Sequence, residues 1–170
     1  MVIVEVEDSG LKETILSRFV HRARKAVGLQ GAVSVLVIRG DEMRRLNSRF
    51  RKKNKSTDVL SFPSSQPMGA NKKLIAGDVA VCWNIAHANA RKLGHSAEEE
   101  VKVLILHGVL HLAGYDHEND KGDMAKLEAR LRVKLKLPIT LTERNTARGK
   151  STRTSAVKAL SPRLRRRRKS

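Results

Sequence analysis

The sequence predicts an α+β fold: a small mixed four-stranded sheet covered by helices, with one apolar helix at its centre carrying metal-binding histidines. Three observations predict it. Four short apolar runs, rich in β-branched residues, are separated by stretches of helical period. The segment 97–113 is apolar almost all round (Val101, Val103, Leu104, Ile105, Leu106, Val109, Leu110, Leu112), as a helix buried on every side must be. Beyond Pro138 the aliphatic pattern stops, so the chain reads as one domain, 1–138, followed by a basic tail, 139–170, that is disordered in isolation.

The elements follow in order. Residues 2–7 form a strand, closed by the turn chemistry of Asp8-Ser9-Gly10. Leu11, Ile15, Leu16, Phe19, Val20, Ala23 and Val27 recur at helical spacing over 11–27, and Gly28 stops the helix. His21 lies on its polar surface. A second strand covers 32–38. Asp41 is placed to cap a helix over 42–50, with Met43, Leu46, Asn47 and Phe50 on one face. A basic loop, Arg51-Lys52-Lys53-Asn54-Lys55, leads to a third strand at 57–62, and Pro63 places its end at a sheet edge. Residues 64–73 are loop. A fourth strand spans 74–83, where Gly77 marks a bulge or the close approach of another backbone. Asn84 is placed to cap a helix ending at Leu93 and closed by Gly94. Ser96 and Glu99 form a capping box that opens the central helix. A last helix spans 121–136 with Met124, Leu127, Leu131 and Leu135 as its inner stripe.

Composition narrows the function. With 3% aromatic residues the core must be aliphatic. The net charge is +18 over 170 residues. Residues 138–170 hold 11 Lys and Arg against the single acid Glu143; residues 1–137 hold 24 against 16, so the folded part is itself +8. A partner of dense negative charge follows, and nucleic acid is the commonest. The single cysteine, Cys82, sits in an apolar run and reads as an inert core residue; with no intrachain disulfide possible, the expected compartment is reducing. The first residues carry no basic, apolar leader, and no run approaches the length of a membrane span, so the expected address is the cytoplasm, with no membrane partner.

The chemistry concentrates in His107-Gly108-Val109-Leu110-His111-Leu112-Ala113-Gly114-Tyr115-Asp116-His117. His107 and His111 are four apart and project from one helix face; Gly114 ends the helix and His117 follows. Two imidazoles from a helix and a third from the turn after it make three corners of a tetrahedron around Zn²⁺, with the fourth open to water. Asp116 can accept from a remaining ring N–H, or remain a solvated loop carboxylate. The same histidine spacing occurs in metallopeptidases, whose general base is a Glu after the first His; here that position is Gly108, which argues against peptide hydrolysis without excluding it.

This stretch closely resembles the signature of the YbeY endoribonuclease family, the bacterial rRNA maturation factors. Leu46-Asn47 through Phe50-Arg51, Ser56 through Pro63, Gly77-Asp78-Val79 and Gly94-His95-Ser96 resemble the family's other landmarks in order and spacing. The resemblance covers about residues 1–137, and Asn54 departs from the acidic residue the family often has there. It implies single-strand-specific endoribonuclease activity in small-subunit rRNA 3′-end maturation and ribosome quality control. It also implies a zinc ion on His107, His111 and His117, and an arginine near the metal at Arg51 with Lys53 a basic position beside it. The expected partners are RNA, chiefly small-subunit rRNA precursor, and the small ribosomal subunit with its assembly factors.

A guanidinium suits a phosphate as a planar fork and can stabilise charge developing on phosphorus. Lys52 and Lys55, with Lys53, are expected to contact the RNA backbone. His95 reads as structural. No residue is singled out as general base, and attack by the RNA 2′-OH stays open beside attack by a metal-activated water. The competing class is a zinc-containing RNA-binding assembly factor that does not cut.

Overall fold

The computed structural model describes residues 1–64, 74–115 and 122–139. The chain divides into two units, Met1–Pro138 and Ile139–Ser170. Apart from Ile139, the second lies outside the described residues, and with it the expected disorder of the tail. The order is β1 (Val2–Val4), a 3-10 turn (Glu7–Ser9), α1 (Glu13–Val27), β2 (Ala32–Ile38), α2 (Gly40–Arg51), β3 (Val59–Pro63), β4 (Ile75–Cys82), α3 (Trp83–Leu93), α4 (Ala97–Leu112) and α5 (Asp123–Leu135). The sheet runs β1-β2-β4-β3; β1, β2 and β4 are parallel, and β3 is antiparallel to β4 at one edge.

The two-residue period of the strands assigns each face of the sheet. Val33, Val35, Val37, Val79 and Val81 enter the main core with Leu16, Phe19, Leu106 and Leu110. Ile38, Leu60, Ala80 and Cys82 enter a smaller cluster with Met43 of α2, against which Leu46 and Phe62 also pack. One face is thus covered by α1 and α4, the other by α2. Helix α4 contacts α1, α3, α5, β3 and β4, which is why it is apolar all round. Its start is the predicted capping box: Ser96 Oγ accepts from the Glu99 amide at 3.2 Å, and Glu99 Oε2 accepts from the Ser96 amide at 2.8 Å. A cap of this kind is worth about 1 kcal/mol. Cys82 is fully buried, and that burial pushes its thiol up, so it stays protonated and inert at neutral pH.

Four local expectations are corrected or refined. The first strand ends at Val4 rather than at residue 7, because Val4 already pairs with Val37 and β2 stops at Ile38. Helix α2 starts at Gly40 behind Arg39, so Asp41 is not its cap but lies 4.0 Å from Arg45 one turn on. Asn84 does not cap its own helix, which begins at Trp83; its Oδ1 accepts from the Gly40 amide at 2.8 Å and so caps α2 from across the fold. Gly77 has both features expected of it. The register steps from Ala32↔Ile75 to Val33↔Gly77, a bulge at Ala76. A Cβ on Gly77, at φ 150°, would lie 2.3 Å from the Phe62 carbonyl oxygen. Pro63 closes β3 on the sheet edge as expected.

Candidate metal centre and cleft

Helix α4 delivers His107 and His111 at its C-terminal end. The i, i+4 spacing brings their rings to 4.8 Å between centroids, inclined at 76°, with the two Nε2 atoms 3.1 Å apart. The helix then closes as a Schellman motif on Gly114, at φ 89°: the Gly114 amide donates to the His111 carbonyl at 3.0 Å and the Tyr115 amide to the Leu110 carbonyl at 3.1 Å. Gly108 faces the sheet. A Cβ there would lie 2.6 Å from Val79 Cγ1, and Ser61 Oγ donates to the Gly108 carbonyl at 3.1 Å. The glycine therefore lets α4 sit directly on β3 and β4, setting the depth of the histidine pair relative to the sheet.

A carboxylate that sequence reasoning missed orients the first histidine. His107 Nδ1 donates to Glu128 Oε2 at 2.8 Å, and Glu128 Oε1 accepts from Arg132 Nε at 3.0 Å and from its Nη2. Burial alone would raise the Glu128 carboxyl, but the His107 hydrogen bond and the Arg132 charge outweigh it and hold the group below its usual range. An ionised carboxylate only accepts, so Nδ1 of His107 must carry hydrogen, which leaves the lone pair of the neutral ring on Nε2. That is the tautomer a metal ligand needs. Two nitrogens bound to one tetrahedral Zn²⁺ stand about 3.3 Å apart, close to the separation of the Nε2 pair. The residues present therefore fit such an ion. His117 and Asp116 lie outside the described residues, and among the described residues no group of three potential ligands converges. Glu128→Gln is expected to weaken metal affinity about 10- to 100-fold with the fold retained, as a metal titration would read.

The pair opens into a cleft of about 620 Å³ along β3, lined among others by Arg51, Asp58, Ser61, His107, His111 and Tyr115. Arg51 is thus brought to the histidines from some fifty residues upstream, as expected, although it is the last residue of α2 rather than the first of a loop. Lys52 follows at φ 59°, the left-handed turn that ends the helix. Buried Asn47 shapes what comes next: its carbonyl accepts from the Lys53 amide at 3.3 Å, and its Nδ2 donates to the Lys55 carbonyl at 2.7 Å. Lys52, Lys53 and Lys55 are exposed on this loop and do not line the cleft. Asp58, to which sequence reasoning gave no role, braces the cleft wall: its Oδ1 accepts from Thr57 Oγ1 at 3.1 Å and from the Val59 amide at 2.9 Å. His95 is structural, its Nε2 2.7 Å from Oε2 of buried Glu100 at the α3–α4 joint. His21 is exposed on α1.

The family profile described as endoribonuclease YbeY matches residues 4–136. The chain belongs to the YbeY endoribonuclease family. It is 54% identical over 146 residues to the endoribonuclease YbeY of Koribacter versatilis, covering 86% of this chain and 92% of that one. The relative from Solibacter usitatus is 50% identical over 135 residues, covering 79% and 86%. The YbeY of Aquifex aeolicus is 44% identical over 118 residues, covering 69% and 77%. The fold is similar to the solution structure of TM1509 from Thermotoga maritima, with a TM-score of 0.53 at 26% identity, covering 97% of this chain and 100% of that one. Membership of YbeY disfavours both the metallopeptidase reading and that of a non-catalytic assembly factor.

Proposed function

We propose that this YbeY-family chain is a metal-dependent endoribonuclease that acts in rRNA processing, cutting single-stranded small-subunit rRNA precursor near its 3′ end. What supports the reading is the meeting, in one cleft, of the Glu128-oriented histidine pair with the Arg51 guanidinium. In this reading His107, His111 and His117 hold one zinc ion. When bound, the ion supplies Lewis acidity toward a phosphate oxygen and lowers the pKa of bound water.

The chain's own residues do the rest. Glu128 holds the Nδ1 proton of His107 and fixes the ring's orientation. Arg51 binds the scissile phosphate as a fork and meets charge as it grows there. Lys52, Lys53 and Lys55 take flanking phosphates, which orders affinity by salt rather than by sequence. The small ribosomal subunit and its assembly factors are the proposed partners and the cytoplasm the proposed place, in keeping with one buried thiol and no disulfide.

The test pairs metal analysis of the purified chain with cleavage of a small-subunit rRNA 3′ precursor, presented single-stranded and as a duplex. The single strand alone should be cut, chelator should stop the cut, and zinc should restore it. Undiminished cleavage by chelated, metal-free protein would overturn the metal's role. Products ending in 2′,3′-cyclic phosphate would assign the attack to the RNA 2′-OH instead of to water.

A further inference from the structure

The aromatic content of this chain is very low, three Phe, one Tyr and one Trp, yet two of those rings are exposed: Tyr115, which lines the cleft, and Phe50 at the end of α2. Phe50 is 55% exposed and immediately precedes Arg51 at the end of α2. Its ring meets Phe62 edge-on, with centroids 4.9 Å apart and planes at 63°. The Arg49 guanidinium carbon lies 5.5 Å from the Phe50 centroid. Phe62 alternates along β3 with Ser61 and Pro63, which line the cleft, so its side chain turns to the α2 side of the strand, where it packs against the smaller core cluster. Next to this pair, Arg44, Arg45, Ser48, Arg49 and Asn54 line a shallow depression of about 320 Å³. Residues 39–55 carry eight Lys and Arg against Asp41 and Glu42, a net of +6 out of the +8 on residues 1–137.

We propose that Phe50, backed by Phe62 and flanked by Arg49, is a stacking platform for one unpaired base of the RNA strand whose adjoining phosphate lies at Arg51. The inference rests on the endoribonuclease reading and names the part of the substrate that the metal and Arg51 do not touch. Arg49 stands over the Phe50 ring and Arg51, next in α2, lines the cleft, so cations border the ring as phosphates border an unpaired base in a single strand. A protein partner would want a wider apolar patch than one exposed ring provides. A duplex keeps its bases stacked inside and has none to lay on an exposed ring. The platform thus selects single strands by a contact that duplexes cannot make, while Arg44, Arg45 and Arg49 continue the phosphate track along α2.

The test is equilibrium binding in chelator, where no cutting is expected, of a short single-stranded rRNA fragment and of copies each lacking one base. Phe50→Leu keeps an apolar side chain and removes the π face; it should weaken binding about 5- to 100-fold, and Phe50→Tyr should restore it. One abasic position should cost the wild type a similar factor and cost Phe50→Leu little more, the coupling of a shared contact. Melting curves identify any variant that fails to fold, and Phe50→Tyr with the abasic series then carries the test. Leucine binding as tightly as phenylalanine, or no abasic position coupling to residue 50, would overturn the platform. Coupled binding without cleavage in restored metal would leave the platform standing and remove the nuclease reading. Cleavage without coupling would do the reverse.

Discussion

His107→Ala is expected to abolish both metal retention and RNA cleavage. The substitution removes one of the proposed ligands and also the donor to Glu128, whose carboxylate sits largely buried with only Arg132 left to answer it. Stranding a buried acceptor in this way costs about 1–3 kcal/mol, so the variant should also melt earlier. Adding Glu128→Gln removes the stranded charge but also the ionic partner of Arg132, so it should recover little of the lost stability and neither metal nor cleavage. Metal analysis, a melting curve and a cleavage assay on the single and double variants read all three. Full cleavage by metal-free His107→Ala protein would sink the metal role.

Arg51→Ala is expected to leave metal content and melting temperature unchanged and to lower cleavage roughly 10²- to 10³-fold, the scale of losing one preorganised charge-stabilising contact. The side chain is exposed at the end of α2, so truncating it takes little packing with it. Arg51→Lys should recover only part of the rate, because an ammonium supplies charge without the planar fork. A phosphate contact that serves binding alone would raise KM and leave kcat; a transition-state contact lowers kcat. Arg51→Ala cleaving at the wild-type rate would reduce the residue to one cation among the many on this face.

Local chemistry was legible in the sequence wherever both partners lie within a turn or two of each other. The Ser96–Glu99 capping box, the Gly114 stop and the one-face placement of His107 and His111 are of this kind, and so is the all-round apolar character of α4. Contacts made across the fold were not. Asn84 looked like the cap of the helix it begins, but the amide it serves belongs to Gly40, brought near only by the packing of α2 against α3.

Glu128 is the instructive omission, because its signal was present. The side chains α5 buries are Met124, Glu128, Leu131 and Leu135, a 4-3-4 spacing in which the glutamate occupies an inward position. Reading the stripe through Leu127 instead kept the pattern apolar and hid the one charged residue in it. A charge on the inner stripe of an amphipathic helix is a request for a partner, here His107 and Arg132.

The tight seat of Gly108 bears on what this sequence could become. The peptidase pattern with the same histidine spacing differs at that one position, and the genetic distance from glycine to glutamate is short. The physical distance is not: a Cβ there meets Val79 at 2.6 Å before any carboxylate is reached, so helix and sheet would have to part first. Neighbouring chemistries that look one mutation apart on paper are therefore separated here by an overpacked, destabilised intermediate, at a cost of about 1–3 kcal/mol. The lineage is held to its present reaction by how closely two elements pack as well as by the residues it lacks.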